Sequence, residues 1–180
     1  MQKNFSSVQL VTCDEATYAS AIVAILNDAI VTSTALYDYR PRPPEAMNTW
    51  FQAKRQGNFP VLGLVDDSQQ LLGFGSYGTF RAWPAYKYTV EHSIYIRADQ
   101  RSNGYGKTLL KALVEQAKQQ NYHALIGAID SQNQASIALH QQLGFQQVGL
   151  FPQIGFKFGH WLDVAFYQLT LNTPLQPQDG

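Results

Sequence analysis

Two glycines, Gly104 and Gly106, lie between a segment that predicts a strand and a segment that predicts a helix. Glycine at such a junction lets the backbone turn sharply and lets a ligand come close to the main chain. The N–H groups at the start of a helix, together with the positive end of its dipole, bind anions. The spacing therefore predicts a site for a phosphate or diphosphate, with a tight structural turn as the alternative.

Two better-known phosphate loops do not fit this segment. A Walker loop has four residues between its glycines and a Lys-Ser/Thr pair after the second one. Here Lys107 and Thr108 supply the pair, but only Tyr105 separates the glycines. A dinucleotide-binding fingerprint needs three spaced glycines early in a βαβ unit, and these are missing too. The glycines alone leave the identity of the anion open.

The elements that would position this loop predict one sheet with helices packed on it. Strand patterns cover residues 8–12, 59–65, 71–80, 89–96 and 124–129, and a long final hairpin passes through 148–150 and 161–171. Helix patterns cover a segment capped by Asp14, residues 44–56, the segment from the glycine loop to near residue 120, and residues 133–143. We expect a single α/β (α+β) domain over residues 1–172 and a flexible tail over residues 173–180.

The composition excludes several classes of protein. Thirteen basic and thirteen acidic residues balance, so no net field favours a nucleic acid or an anionic membrane. No apolar run predicts a membrane span, and the polar residues 1–4 do not lead into a signal peptide. The one cysteine, Cys13, excludes an intrachain disulfide and a multi-thiolate metal site. We expect a cytoplasmic protein without a bound metal, in which Cys13 is buried and inert.

The loop Arg101-x-x-Gly104-x-Gly106 resembles the coenzyme A loop of the GNAT superfamily of N-acetyltransferases, and the segment Asn133–Phe145 resembles the second signature of that superfamily. The resemblance implies a single mixed, mostly antiparallel sheet of about seven strands with about four helices packed on it. It also implies acetyl-CoA as the acetyl donor. The residues that match its cofactor contacts are Ile94, Tyr95, Ile96, Arg101, Ser102, Asn103, Gly104, Tyr105, Gly106, Lys107 and Asn133.

Three longer strings, Ser76–Arg81, Thr89–Ile96 and Gly155–Val164, are similar to one group within that superfamily, the phosphinothricin/methionine-sulfoximine N-acetyltransferases. The resemblance implies direct transfer of an acetyl group, in a ternary complex, to the α-amine of a small amino acid or analogue. It also implies a homodimer. The alternatives are a protein N-terminal or polyamine acetyltransferase, and a CoA-binding module without turnover.

The resemblance gives catalytic roles to Glu91 and His140. Glu91 matches the general base of the family, and the alternative is a structural carboxylate held by an arginine. A carboxylate of ordinary pKa is a weak base for an ammonium, so Glu91 would position the amine or a water, or act after its pKa is raised. His140 stands where many relatives carry a tyrosine acid, and the alternative is a packed or helix-capping histidine. His92 follows Glu91 on a strand, so the two side chains point to opposite faces and cannot share one reaction centre. We therefore expect His92 to be structural.

Three further residues are candidates for acceptor binding. Arg81, at the end of a strand, and Lys157, in the late hairpin, are cations suited to a substrate carboxylate, Lys157 within its own chain or across a dimer interface. Each is otherwise an ordinary surface cation. Tyr37 aligns with an aromatic residue that walls the family's substrate pocket, and the alternative is a tyrosine at the edge of the core. A polyamine site would offer carboxylates, so these cations favour an acceptor with an anionic group.

Overall fold

Between residues 8 and 179, which the structure describes, the chain forms seven β-strands and four α-helices. The structure is a computed structural model. The predicted polar start, residues 1–4, lies outside the described residues. In chain order the elements are β1 (Gln9–Thr12), α1 (Glu15–Thr32), α2 (Ala46–Gln56), β2 (Val61–Val65), β3 (Leu71–Thr79), β4 (Thr89–Ile96), α3 (Tyr105–Gln119), β5 (Ala124–Asp130), α4 (Gln134–Gln142), β6 (Gln146–Lys157) and β7 (His160–Thr170).

The strands form one sheet in the order β1-β2-β3-β4-β5-β7-β6. Neighbouring strands are antiparallel except β4 and β5, which are parallel. The predicted mixed, mostly antiparallel sheet is therefore confirmed. A parallel pair needs a crossover connection, and here the glycine loop and α3 supply it.

Local signals in the sequence explain most element boundaries. The Asp14 side chain caps α1, as predicted, by accepting a hydrogen bond of 2.8 Å from the Thr17 N–H. The predicted start of α2 at residue 44 is wrong by two residues. The carbonyls of Pro43 and Pro44 accept hydrogen bonds from the N–H groups of Ala46 and the next residue, so the prolines form the turn that leads into α2.

Each face of the sheet has its own core. On one face, Leu109 and Leu113 of α3 pack with Val90 and Ile94 of β4. On the other face, α1 and α2 pack against the sheet, and Tyr95 of β4 contacts that core. Side chains alternate along a strand, so Glu91 points to the α1–α2 face and His92 to the α3–α4 face.

The end of the chain packs against the domain without forming a helix or strand over residues 173–179. The Thr173 hydroxyl donates to the Tyr122 carbonyl, and the Gln178 N–H donates to the Tyr88 hydroxyl at 3.1 Å. The single domain and its flexible tail stay predictions.

No helix among residues 8–179 combines the length and hydropathy needed to cross a membrane.

Candidate active site

A gap in the sheet between β4 and β5 forms the main cavity of the site. The two strands pair from Thr89 and Ala124 as far as Glu91 and Ile126, and there the ladder ends. Beyond that point a cavity of about 460 Å³ lies between residues 92–95 of β4 and residues 127–130 of β5. We call it the central cavity. Where two strands diverge, the main-chain groups that face the gap are available to a ligand.

The glycine loop lies between β4 and the start of α3. Gly104 is the N-cap of α3 with a φ of 81°, in the left-handed region that glycine favours, and no side-chain hydrogen bond caps this helix. Gly106 allows α4 to come close, because a Cβ there would lie 3.2 Å from Leu139 Cδ2. The geometry is that of an anion site at a helix N-terminus. The predicted diphosphate contacts of Ser102–Lys107 stay a prediction.

The other predicted cofactor residues are divided between the cavity and the loop. Ile94, Tyr95 and Asn133 line the central cavity. Ile96 packs against the core beneath α3, and Arg101 is exposed with its Nε 3.4 Å from the Ile96 carbonyl. The Asn133 side chain caps α4 by accepting a hydrogen bond of 3.1 Å from the Ser136 N–H. These cofactor contacts also stay predictions.

Glu91 lies where the β4–β5 ladder ends, and it is one of the residues that line the central cavity. Burial raises the pKa of its carboxyl above the ordinary value of 4.5, and the charge of Arg81 partly offsets this effect. Among residues 8–179, no ion pair holds Glu91. A half-buried carboxylate with a raised pKa is suited to accept a proton, and the role of Glu91 as general base stays a prediction.

His140 and His92 form a buried pair with 2.9 Å between their Nε2 atoms. The carbonyl of Ser136, 2.7 Å from His140 Nδ1, can only accept, so this nitrogen carries the proton. With both rings neutral, His140 Nε2 accepts a hydrogen bond from the Nε2–H of His92, and the buried His92 Nδ1 has no hydrogen-bond partner among residues 8–179. Burial lowers the pKa of both histidines, that of His92 to about 3, so the pair is neutral. Both nitrogens of His140 have partners in this arrangement, and its role as general acid stays a prediction.

Glu91 and His92 both line the central cavity, and the expectation that they cannot share one reaction centre stays a prediction. Their side chains do point to opposite faces, but both residues reach the cavity, because the gap between β4 and β5 passes through the sheet. Gly127 makes room for the histidine pair, since a Cβ there would lie 3.0 Å from His92 Cε1 and 3.1 Å from His140 Nε2.

Of the three predicted acceptor-binding residues, only Tyr37 lines the central cavity. Arg81 is exposed, with its guanidinium 5.1 Å from the centre of the Phe80 ring, and it lines a second cavity of about 400 Å³. Its link to the site is the electrostatic effect on the pKa of Glu91.

Lys157 is 4% exposed, so its reading as a surface cation is wrong. Its ammonium donates hydrogen bonds of 2.9 Å to the Ser33 carbonyl and 2.5 Å to the Leu36 carbonyl. These carbonyls belong to the segment between α1 and α2, which carries Tyr37. Lys157 therefore holds the wall of the cavity, and its direct contact with a substrate stays a prediction.

Sequence reasoning missed Lys54, the cation among the residues that line the central cavity. It lies on α2, and its Nζ donates a hydrogen bond of 2.8 Å to the Tyr77 carbonyl. A signal was present, because Met47, Phe51 and Lys54 follow one another at helical spacing, and the first two are buried. A lysine in the apolar stripe of a helix lies at the core side.

Comparison with known proteins identifies the family of this chain. The acetyltransferase (GNAT) domain family matches residues 17–166. The chain therefore belongs to the GNAT N-acetyltransferase family, whose fold it shares.

The curated relatives indicate which N-acetyltransferases the chain is similar to. The chain is 44% identical over 151 residues to the L-methionine sulfoximine/L-methionine sulfone acetyltransferase of Pseudomonas paraeruginosa, covering 84% of this chain and 88% of the relative. It is 36% identical over 158 residues to the L-amino acid N-acyltransferase of Escherichia coli, covering 88% and 91%.

Solved structures agree over nearly the whole chain. One from Acinetobacter baylyi ADP1, whose acetyltransferase assignment is provisional, superimposes with a TM-score of 0.98 at 55% identity, covering 99% of this chain and 100% of that one. A phosphinothricin acetyltransferase from Sinorhizobium meliloti, solved in complex with acetyl-CoA, has a TM-score of 0.90 at 30% identity and covers 94% and 92%.

Proposed function

We propose that the protein transfers the acetyl group of acetyl-CoA to the α-amine of a small amino acid or amino-acid analogue. The observation that carries the proposal is Glu91, a carboxylate with a raised pKa and no ion-pair partner among residues 8–179, beside the gap between β4 and β5. The names of the Pseudomonas and Escherichia relatives support an amino acid or its sulfone or sulfoximine as acceptor.

In this proposal the main chain of the protein holds the donor. The uncapped N–H groups at the start of α3, beside Gly104, would bind the diphosphate. The β4 groups that face the gap, from His92 to Tyr95, would hydrogen-bond the arm that ends in the thioester. When bound, acetyl-CoA supplies an activated acyl carbon with a thiolate leaving group. Asn133, at the cavity wall, would contact the same arm.

Glu91 would prepare the acceptor. An ammonium has no lone pair, so a proton must leave the amine before it attacks. The raised pKa of Glu91 makes its carboxylate a better acceptor for that proton, directly or through a water. Cys13 is a poor candidate for an acyl carrier, because burial raises the pKa of its thiol to about 12 and it does not line the central cavity. Both points support direct transfer in a ternary complex.

The homodimer and the cytoplasmic location belong to this proposal as well. β6 is an edge strand, and it exposes the large apolar residues Val148, Leu150, Ile154 and Phe156. An exposed apolar edge of this kind pairs readily with a second copy of the chain. Sedimentation velocity should give a dimer for the wild type and a monomer for Ile154→Lys.

The single cysteine supports a reducing compartment. The absence of a metal cofactor also stays a prediction.

An acceptor panel tests the function. Thiol release from acetyl-CoA is followed with L-methionine sulfone, L-methionine sulfoximine, phosphinothricin, ordinary amino acids, polyamines and peptides with free N-termini. We expect turnover with the amino-acid analogues and little with polyamines. Saturable CoA binding without turnover on any amine would establish the alternative, a CoA-binding module. Glu91→Gln should lower kcat by about 100-fold or more while CoA affinity persists.

A further inference from the structure

Lys54 reaches the α1–α2 face of the sheet next to Glu91. Its Nζ lies 3.5 Å from the position that a Cβ on Gly78 would take. Gly78 stands directly opposite Glu91 in the β3–β4 ladder. Side chains at directly opposed positions share a face, with Cβ atoms about 5 Å apart. The ammonium of Lys54 therefore lies over the sheet at the β3 position that is paired with Glu91, the residue whose carboxylate would receive a proton from the amine.

Among residues 8–179, the ammonium of Lys54 uses one of its three N–H donors in a hydrogen bond. That hydrogen bond goes to the Tyr77 carbonyl, and the rings of Trp50 and Phe59 lie 5.1 Å and 5.8 Å from Nζ. Within residues 8–179 it forms no ion pair with a carboxylate. An ammonium carries three N–H donors, and burial without a counter-ion is unfavourable. Accordingly, burial lowers the pKa of Lys54 to about 8. An anion entering the central cavity would supply the missing partner.

The position of Lys54 favours one polar group of the acceptor over the others. In an α-amino acid the carboxylate is attached to the carbon that bears the amine, whereas a sulfone or phosphinate lies several bonds away. With the amine at Glu91, the α-carboxylate is the charged group nearest to the amine, and we expect it at a cation over Gly78. Neither Arg81 nor Lys157 lines this cavity.

We propose that Lys54 binds the α-carboxylate of the acceptor and so orients its amine toward Glu91. The inference rests on the proposed function, because it takes the acceptor to be an α-amino acid. Lys54 is then a specificity-determining residue, which distinguishes α-amino acids from amines that lack a carboxylate. A charge-assisted hydrogen bond of this kind is worth about 10- to 100-fold in affinity.

The test compares two ligands of the same size and shape, L-methionine sulfone and its carboxamide, at a pH where both amines are protonated, so that the charge of that group is the main difference. Calorimetry in the presence of CoA gives the Kd of each ligand, and initial rates give the acceptor KM. We expect the wild type to prefer the carboxylate by about 10- to 100-fold. Lys54→Met should lose this preference, and Lys54→Arg should keep most of it. Lys111→Met, which removes an exposed lysine of α3, serves as the matched control. The KM for acetyl-CoA should stay the same throughout.

The outcomes separate this inference from the proposed function. A wild type that binds both ligands equally, or binds neither, overturns the role of Lys54. So does a Lys54→Met variant that keeps the preference with an unchanged unfolding midpoint. If that variant does not fold, Lys54→Gln replaces it, because the amide still donates to the Tyr77 carbonyl without carrying a charge. Carboxylate binding that depends on Lys54 without any turnover would support the inference and refute the catalytic proposal.

Discussion

The buried ammonium of Lys157 gives a prediction that separates structural support from substrate contact. Lys157→Met keeps most of the aliphatic length of the side chain and removes the charge. The change leaves the carbonyls of Ser33 and Leu36 without the donor that now lies 2.9 Å and 2.5 Å away. The segment that carries Tyr37 then loses these two hydrogen bonds to β6 and keeps the one from the Tyr39 hydroxyl to the Phe156 carbonyl.

The magnitude follows from those two hydrogen bonds. Each hydrogen bond from a charged donor contributes about 1.5–3 kcal/mol net. The ammonium is buried, and burial lowers the pKa of Lys157, so part of that gain is offset by the cost of removing the charge from water. We expect the free energy of unfolding to fall by about 2–4 kcal/mol.

Urea denaturation measures the stability, and initial rates measure the two KM values. The acceptor KM should rise, because Tyr37 lines the central cavity, while the KM for acetyl-CoA stays constant. Lys118→Met is the control: its exposed pair with Glu115, three residues earlier on α3, contributes less than about 0.5 kcal/mol. Unchanged stability with a raised KM for L-methionine sulfone, but not for its carboxamide, would refute the reasoning. Lys157 would then contact the substrate carboxylate itself.

Three further predictions concern the loop, the base and the histidine pair. Gly104→Ala should lower stability by about 1–2 kcal/mol and weaken CoA binding, because the φ of 81° is unfavourable for a residue with a Cβ; unchanged CoA titrations would contradict this. A base must be deprotonated, so kcat/KM should fall as the pH drops through the raised pKa of Glu91, with a midpoint above 4.5. Arg81→Gln should move that midpoint to higher pH because a cation that lowers the pKa is lost, and an unmoved midpoint would exclude the electrostatic link. His92→Leu should lower stability by about 1–3 kcal/mol by leaving His140 Nε2 without a donor. His92→Gln should lower it less, and equal effects in urea denaturation would contradict the hydrogen bond.

Signals within a few residues were enough to predict much of the fold. The cap at Asp14, the strand Thr89–Ile96 and the sharp turn at Gly104 depend on local chemistry, and the structure has them where the sequence indicates. Alternation along β4 also gave the correct faces for Glu91 and His92.

Contacts between residues that are far apart in the chain could not be predicted from such local signals. His92 and His140 are 48 residues apart, and nothing near either one indicates the other. Lys157 reaches carbonyls more than 120 residues earlier in the chain. Lys54 could be assigned to the core side of α2, but only the packing of that helix over β3 brings it to Gly78, the position paired with Glu91.

In the proposed function the gap between β4 and β5 presents main chain to acetyl-CoA, and a main chain is nearly the same whatever side chains it carries. A site built on such groups tolerates substitution on both strands as long as the strands diverge at the same place. Side chains outside these two strands, such as Tyr37 and Lys54, can then change without disturbing the bound donor. Chains only 30% identical that superimpose with a TM-score of 0.90 fit this division. The fold therefore separates the main-chain groups that would hold acetyl-CoA from the side chains that can change to fit a new acceptor.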